Sequence, residues 1–370
     1  MKDRYGREIT YLRLSVTDLC DLRCLYCMPE QGVPKKRHED MLTEDEMIAA
    51  VEAAASLGIR KVRITGGEPL VKRNILSICR RTAAVPGIQE IGLTTNGTRL
   101  RELAVPLREA GVQHLNMSLD TLDPEKYAHI TRCGRLQDAL DGLHAALDAG
   151  FETIKLNTVL IGGFNDSEIQ ALAALTLDYA VDVRFIELMP MAGMKAFPPS
   201  AFISADAVLE ALSGAEPETQ ARPGAELEGQ IRPSAGLEEQ AHPGAGLEEQ
   251  ARPGAGFEDQ ARPGAGLEEL PSDGGVAKRY RIPGAKGSIG LIRPRSEQFC
   301  GECSRIRLTA DGMLKPCLHS NAEYSLKGLP PEEMRERIRE AILAKPAWHG
   351  GLAACSADAR IGRGMNAIGG

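Results

Sequence analysis

No run of apolar residues in this 370-residue chain approaches the ~20 that a membrane helix needs, so no membrane-spanning helix is expected. The opening residues, Met1-Lys2-Asp3-Arg4-Tyr5, lack the apolar core of a secretory leader, and a cytoplasmic address is the expectation. A basic excess is also missing. The net charge is -7, and residues 214–271 alone hold twelve Asp/Glu against four Arg, which leaves the remainder near neutral. Neither a nucleic-acid surface nor a membrane patch is therefore expected, and a bound anion must be met by individually placed Arg and Lys. The cysteines do not pair off either. They number nine, and six fall into two tight groups, so in a reducing compartment metal ligation outranks disulfides.

What is present begins as a βα alternation. Short β-branched runs at Leu12–Thr17, Lys61–Thr65, Glu90–Thr95, His114–Leu119, Thr153–Leu160 and Val183–Met189 predict six strands. Between them lie helical patterns such as Thr43–Leu57, which opens with the capping box Thr43-Glu44-Asp45-Glu46. Leu136–Ala149 and Asp166–Tyr179 behave similarly. Six such repeats imply an α/β fold with a parallel sheet, read as a partial (β/α)6 TIM-type barrel because eight repeats are needed for a complete one. Residues 1–211 are assigned to it. A decapeptide then recurs, Gly244 to Pro253 returning as Gly254 to Pro263. Units with so little apolar surface cannot offset chain entropy, so residues 212–275 are expected to be a disordered acidic insert. Residues 276–370 make a small C-terminal α+β domain, with strand–turn–strand over Lys278–Arg293 and a helix over Pro331–Leu343.

Cys20, Cys24 and Cys27 follow the first strand with spacing C-x3-C-x2-C. Three thiolates can hold three corners of a four-iron cube and leave the fourth open, whereas electron-transfer cubes generally have four cysteines. Zinc is the rival ligand, but a second cysteine pair nearby is missing. Every predicted strand end carries polar groups, including Gly66-Gly67-Glu68-Pro69, Thr94-Thr95-Asn96-Gly97, Ser118 with Asp120, Lys155 with Asn157, and Glu187 with Met189. Strand ends of this kind are where barrel sites gather. Cys300, Cys303 and Cys317 repeat the three-thiol logic. Two other readings stay open for them: a zinc knuckle completed by His319, and a fully ligated relay cluster with Cys355 as fourth ligand. Otherwise Cys79, Cys133 and Cys355 read as packed or incidental thiols, and His319, Trp348 and His349 as packing or surface groups.

The first triplet with Tyr26 before its last cysteine, together with Gly66-Gly67-Glu68-Pro69, resembles the radical S-adenosylmethionine (SAM) superfamily. Phe299-Cys300-x2-Cys303-Ser304-Arg305-Ile306-Arg307-Leu308-Thr309-Ala310-Asp311-Gly312, then Cys317-Leu318 and the terminal Gly369-Gly370, resemble the GTP 3′,8-cyclases of molybdenum-cofactor biosynthesis. The likeness spans essentially the whole chain except the repeats. It implies two [4Fe-4S] clusters facing each other across the barrel mouth, SAM on the open iron of the first, and the guanine of GTP on that of the second. It implies that Tyr26, Gly67, Ser118 and Met189 bind SAM, and that Arg13, Arg63, Thr94, Lys155, Arg305, Ile306 (through its backbone) and Arg307 hold GTP. The tail, Gly369 and Gly370, would reach into the barrel and assist the radical step. The reaction implied is cyclisation of GTP to (8S)-3′,8-cyclo-7,8-dihydroguanosine 5′-triphosphate, a lyase-class step. A reducing electron donor and a downstream cyclic pyranopterin monophosphate synthase are implied partners, and a homodimer stays open. Two departures from the family pattern are Ser304, where Asn is usual, and Arg293, where a small residue is usual. Alternative readings are a radical SAM peptide-modifying maturase with an auxiliary cluster, and a noncatalytic zinc-stabilised binding protein.

Overall fold

A computed structural model describes residues 1–34, 36–189, 197–213, 266–297, 299–348 and 363–369. Residues 214–265 of the repeat stretch, His349, Cys355 and Gly370 lie outside the described residues. The six expected strands are β1 (Tyr11–Ser15), β2 (Lys61–Thr65), β3 (Glu90–Thr95), β4 (His114–Ser118), β5 (Thr153–Leu160) and β6 (Val181–Glu187). They pair side by side in chain order, all parallel. Between them run α1 (Glu44–Ser56), α2 (Ile75–Ala83), α3 (Leu100–Glu109), α4 (Pro124–Thr131), α5 (Leu136–Asp148) and α6 (Ile169–Asp178). The capping box at Thr43 forms: its hydroxyl accepts from the Glu46 backbone, and the Glu46 carboxylate accepts from the Thr43 N–H at 2.8 Å. One face of each strand feeds the core through residues such as Leu12, Leu14, Val62, Ile64, Leu93 and Leu115, all 0–1% exposed. The fold is the expected partial (β/α)6 barrel.

After α7 (Asp206–Ser213), the chain adds β7 (Glu268–Leu270), β8 (Lys278–Arg281), β9 (Ser288–Ile292), β10 (Arg305–Leu308), β11 (Met313–Lys315), β12 (Tyr324–Ser325), α8 (Pro331–Leu343) and α9 (Met365–Ile368). These strands extend the barrel sheet at both of its edges. β9 pairs parallel with β6, and β10 pairs parallel with β1, so eight parallel strands stand in one row, flanked by antiparallel β8–β7 and β11–β12. β7 lies within residues 212–275, where Glu268–Leu270 pairs with Leu270 opposite Arg279, so this end of the stretch is ordered. Because β9 and β10 occupy opposite ends of the parallel row, their connection must cross the open side of the barrel. That connection carries Cys300 and Cys303. Among the described residues, no helix is long and apolar enough to cross a membrane.

Candidate active site

The inner face of the sheet is built by strand alternation. Successive side chains point to opposite faces, so while Leu12 and Leu14 enter the core, Tyr11 and Arg13 face the barrel interior. Arg63 on β2, Thr94 on β3, Asn116 and Ser118 on β4, Lys155 and Asn157 on β5, and Arg184 on β6 line the same cavity, of about 840 Å³. The register sets Arg307, Arg13 and Arg63 abreast across β10, β1 and β2, and Arg305 beside Tyr11. The Arg63 guanidinium lies over Gly92, where an added methyl would stand 2.7 Å from its Cζ. It donates to the Tyr11 hydroxyl at 2.6 Å.

Four arginines this close repel one another. Burial and then the Arg307 charge push Arg13 well below the ordinary arginine value. Burial and then Arg305 bring Arg307 down to about 10. Burial alone would raise the Tyr11 phenol, but Arg63, Arg13 and Arg305 together bring it to about 8. A buried cation cluster of this kind is stable only when an anion shares it, and fixed guanidiniums suit bidentate phosphate. Across the cavity, Asp273 faces Lys155 at 3.5 Å and Arg184 at 3.4 Å. The Thr94 hydroxyl is buried and finds no hydrogen-bond partner among the described residues, as a group awaiting a ligand would be.

All six triplet cysteines line this one cavity. Cys20, Cys24 and Cys27 sit in the loop after β1, and that loop is held against β2: a Cβ on Gly66 or Gly67 would collide with backbone oxygens of Thr17 to Leu19. Asp21 accepts from Asn96 Nδ2 at 2.8 Å and so anchors the loop to the end of β3. Glu68 accepts from Thr95 Oγ1 (2.7 Å) and the Asn96 N–H (2.7 Å), and burial raises it to about 7. Burial also raises the first-triplet thiols, Cys20 to about 12 and Cys27 to about 11. In the second triplet burial would do the same, but Lys345 and Arg305 bring Cys303 below the ordinary thiol value.

The donor chemistry fits two four-iron clusters. The cavity wall holds two sets of three thiols and, among the described residues, no seventh cysteine, so each cube would keep one open iron. A single zinc needs its sulfurs within roughly 4 Å of one another. Among the described residues, no three His, Cys, Asp or Glu side chains are gathered to hold one ion. The SAM-side residues read from the sequence, Tyr26, Gly67, Ser118 and Met189, line the cavity beside the first triplet. The Tyr26 hydroxyl donates to buried Asp120 at 2.6 Å.

The tail also arrives. The Gly369 carbonyl accepts from Arg307 Nη1 at 2.6 Å and Arg13 Nε at 3.3 Å. Gly369 has φ +70°, and a Cβ there would collide with Thr65 Oγ1, so the position favours glycine twice over. Asn366 Nδ2 donates to the Asp18 carbonyl at 3.4 Å, which ties the tail to the first cysteine loop. Upstream, Arg363 pairs with Asp311 (2.8 Å) and Glu323 (2.7 Å), which anchors the start of the tail.

Some placements differ from the sequence reading. The Ile306 side chain is in the core at 0% exposure, which is compatible with the backbone role expected for it, and Ile306 is not among the residues that line the cavity. Glu187 does not line the cavity; it accepts from the Arg295 and Ser296 N–H groups, each at 3.0 Å, and braces the connection toward Cys300. His319 lines the cavity rather than acting as a surface group. Cys79 is fully buried and Cys133 is exposed, with its thiol 3.3 Å from the Asp21 carbonyl. Arg293 is committed to Asp206 at 2.6 Å and Glu297 at 3.4 Å. Ser304 holds its place by its carbonyl, which accepts from Thr10 and Tyr11. Tyr11, Arg184, Asp273 and Lys345 were not singled out from sequence. The first two had a signal, since each interrupts an apolar strand at the alternation that Arg13 and Lys155 follow; the last two had none.

Residues 14–176 match the Radical SAM superfamily, and residues 260–350 match Molybdenum Cofactor Synthesis C. A GTP 3′,8-cyclase of Alkaliphilus oremlandii (strain OhILAs) is 40% identical, with 100% of each chain covered. One from Peptoclostridium acidaminophilum is 42% identical over 94% of this chain and 92% of that one. Another, from Pelotomaculum thermopropionicum, is 41% identical over 94% of this chain and 95% of its own.

Proposed function

The chain belongs to the GTP 3′,8-cyclase family, and on that premise we propose that its cavity converts GTP to 3′,8-cyclo-7,8-dihydro-GTP, the first step of molybdenum-cofactor biosynthesis. The observation that carries this reading is the meeting, in one cavity, of two three-thiol sets with four arginines, three of them abreast and Arg305 beside Tyr11. Neither a zinc-stabilised binding protein nor a peptide-modifying enzyme needs such a buried cation row.

Cys20, Cys24 and Cys27 would hold the SAM cluster, and Cys300, Cys303 and Cys317 the second. The first cluster with SAM supplies hydrogen-atom abstraction when bound. Tyr26, Gly67, Ser118 and Met189 would seat SAM beside it. Arg13, Arg63, Arg305 and Arg307, with Lys155 and Thr94, would grip a triphosphate of about four negative charges. Arg305 and Arg307 lie two residues apart on β10 and both line the cavity, which favours a shared grip on one phosphate chain. Fixing ribose and base in near-attack geometry inside a walled cavity lowers the barrier by several kcal/mol and keeps water from the reactive carbon. Gly369, held by Arg13 and Arg307, would shape the floor of that chamber, with Gly370 beyond it.

In this reading, residues 1–211 are the radical-generating barrel, 276–370 the second-cluster unit, and 212–275 an acidic insert whose C-terminal end brings Asp273 to the cavity wall. The setting would be cytoplasmic. A reducing protein would deliver electrons, cyclic pyranopterin monophosphate synthase would take the product, and a homodimer is compatible with it.

Anaerobic incubation with GTP, SAM and a reductant tests the proposal. Brown protein with about eight irons per chain should cleave SAM only when GTP is present and release the cyclised nucleotide. Cys24→Ala should abolish SAM cleavage, while Cys303→Ala should bind SAM yet yield no cyclised product. Colourless, zinc-loaded protein, or normal product from Cys303→Ala, would sink it.

A further inference from the structure

One buried side chain joins the segments of the second thiol triplet. Lys345, just beyond α8, is 3% exposed. Its Nζ donates to the Arg305 carbonyl at 2.8 Å and to the Pro316 carbonyl at 2.8 Å, and its charge lies close enough to act on the Cys303 thiol. Arg305 stands two residues after Cys303, and Pro316 immediately precedes Cys317. A lysine head has three N–H donors, and two of them are spent on these backbone carbonyls. Of the groups Lys345 acts on, only the Cys303 sulfur can carry a full negative charge.

The backbone that presents Lys345 is fixed in turn. Arg7, 8% exposed, donates to the Pro346 carbonyl at 2.7 Å, the Ala347 carbonyl at 3.1 Å and the Cys300 carbonyl at 2.8 Å. Asp3 accepts from Arg7 Nε at 2.6 Å. Every cysteine of the second triplet is therefore tied, directly or through a residue within two positions, to a two-cation frame of Arg7 and Lys345. The loop of the first triplet is held by close glycine packing, by Asp21, and by Arg23 and Arg132, which donate to the Cys20 carbonyl (2.6 Å) and the Met28 carbonyl (3.0 Å), with no lysine among them.

We propose that Lys345 is the positioning residue of the second cluster: it holds the Cys303 and Cys317 segments in register and sets the cluster's reduction potential through its fixed positive charge. A buried cation beside a ligating sulfur favours the more negative, reduced state and so raises the potential. The second cluster would then accept an electron more readily than it would without Lys345. The inference rests on the reading that Cys300, Cys303 and Cys317 carry a four-iron cluster.

The test compares wild-type protein with Lys345→Met and Lys345→Arg, each anaerobically reconstituted as the full chain. Iron is counted, and each cluster's midpoint potential is read by electron paramagnetic resonance. Lys345→Met should either lose about four of about eight irons, with the first cluster's signal and SAM binding intact, or keep both clusters with only the second shifted to more negative potential. Lys345→Arg should keep both clusters and recover most of the wild-type potential. Unchanged iron and potential in Lys345→Met would overturn the assignment. So would equal loss of both clusters, which would make Lys345 a general folding residue. A wild-type sample without a second cluster would instead refute the underlying reading, and that is seen before any variant is compared.

Discussion

Tyr11 shows how the site acts at the level of single side chains. Its hydroxyl accepts from Arg63, and the arginine charges hold its proton weakly, at about 8. Loss of that proton places a negative charge among the groups that must meet a triphosphate. The sign follows: binding is strongest with the phenol neutral and weakens as pH rises through about 8. Because kcat/KM reports ionisation of the free enzyme, its profile for GTP should fall on the alkaline side near pH 8. Tyr11→Phe should remove that limb and leave the acid side in place; a limb unchanged in Tyr11→Phe would assign it to another group. The first thiol triplet was legible from spacing alone, since three cysteines within eight residues announce themselves, whereas the second, spread from Cys300 to Cys317, left a zinc knuckle or a fourth cysteine open. Tyr11 was not, because a tyrosine in a strand is ordinary until its arginine neighbours are known.

Strands decide which residues meet. Arg13, Arg63 and Arg307 come from three distant stretches of chain, and only parallel pairing in one register brings them abreast. Gly92, opposite Arg63 on β3, leaves room for the guanidinium. Gly92→Ala should keep the fold, because what it meets is the mobile end of a side chain, but it should displace Arg63. We expect KM for GTP to rise about tenfold, or ~1.4 kcal/mol, with kcat and melting temperature nearly unchanged. An unaltered KM would show that Arg63 does not need this place. The six strands and their helices were readable because apolar alternation and caps are local signals. The ends of β1 and β6 shifted by one or two residues, since the chain leaves the ladder for the cysteine loop after β1 and for the Glu187-braced turn after β6. Glu187 itself read as a site residue; its carboxylate turned out to satisfy backbone N–H groups of the β9–β10 connection.

The whole molecule works as a sheet whose opening is crossed by its own C-terminal part. The tail is strapped at Arg363 to Asp311 and Glu323, and burial opposed by Lys36, Thr309 and Arg363 leaves Asp311 at about 2. Arg363→Met should free the strap while cluster content stays at the wild-type level. A misplaced tail near the reacting atoms should lower cyclised product by about 100-fold, measured by anaerobic product analysis, and full turnover would show that the strap is dispensable. Deleting residues 224–263 should leave turnover nearly unchanged and shift stability by no more than about 1 kcal/mol, since loop closure depends weakly on length. A large loss of activity would show that the repeats serve the site.

The sequence by itself determined the first thiol triplet, the βα rhythm and the polar strand ends, because each depends on residues within a few positions of one another. Tertiary structure alone decided that the C-terminal strands flank the barrel on both sides, that Asp273 faces Lys155 and Arg184, and that Arg7 and Lys345 frame the second triplet. Those contacts join residues from 29 to 340 positions apart. No local pattern encodes them, because a buried charge is tolerated only where distant backbone oxygens, sulfurs or carboxylates are brought to meet it.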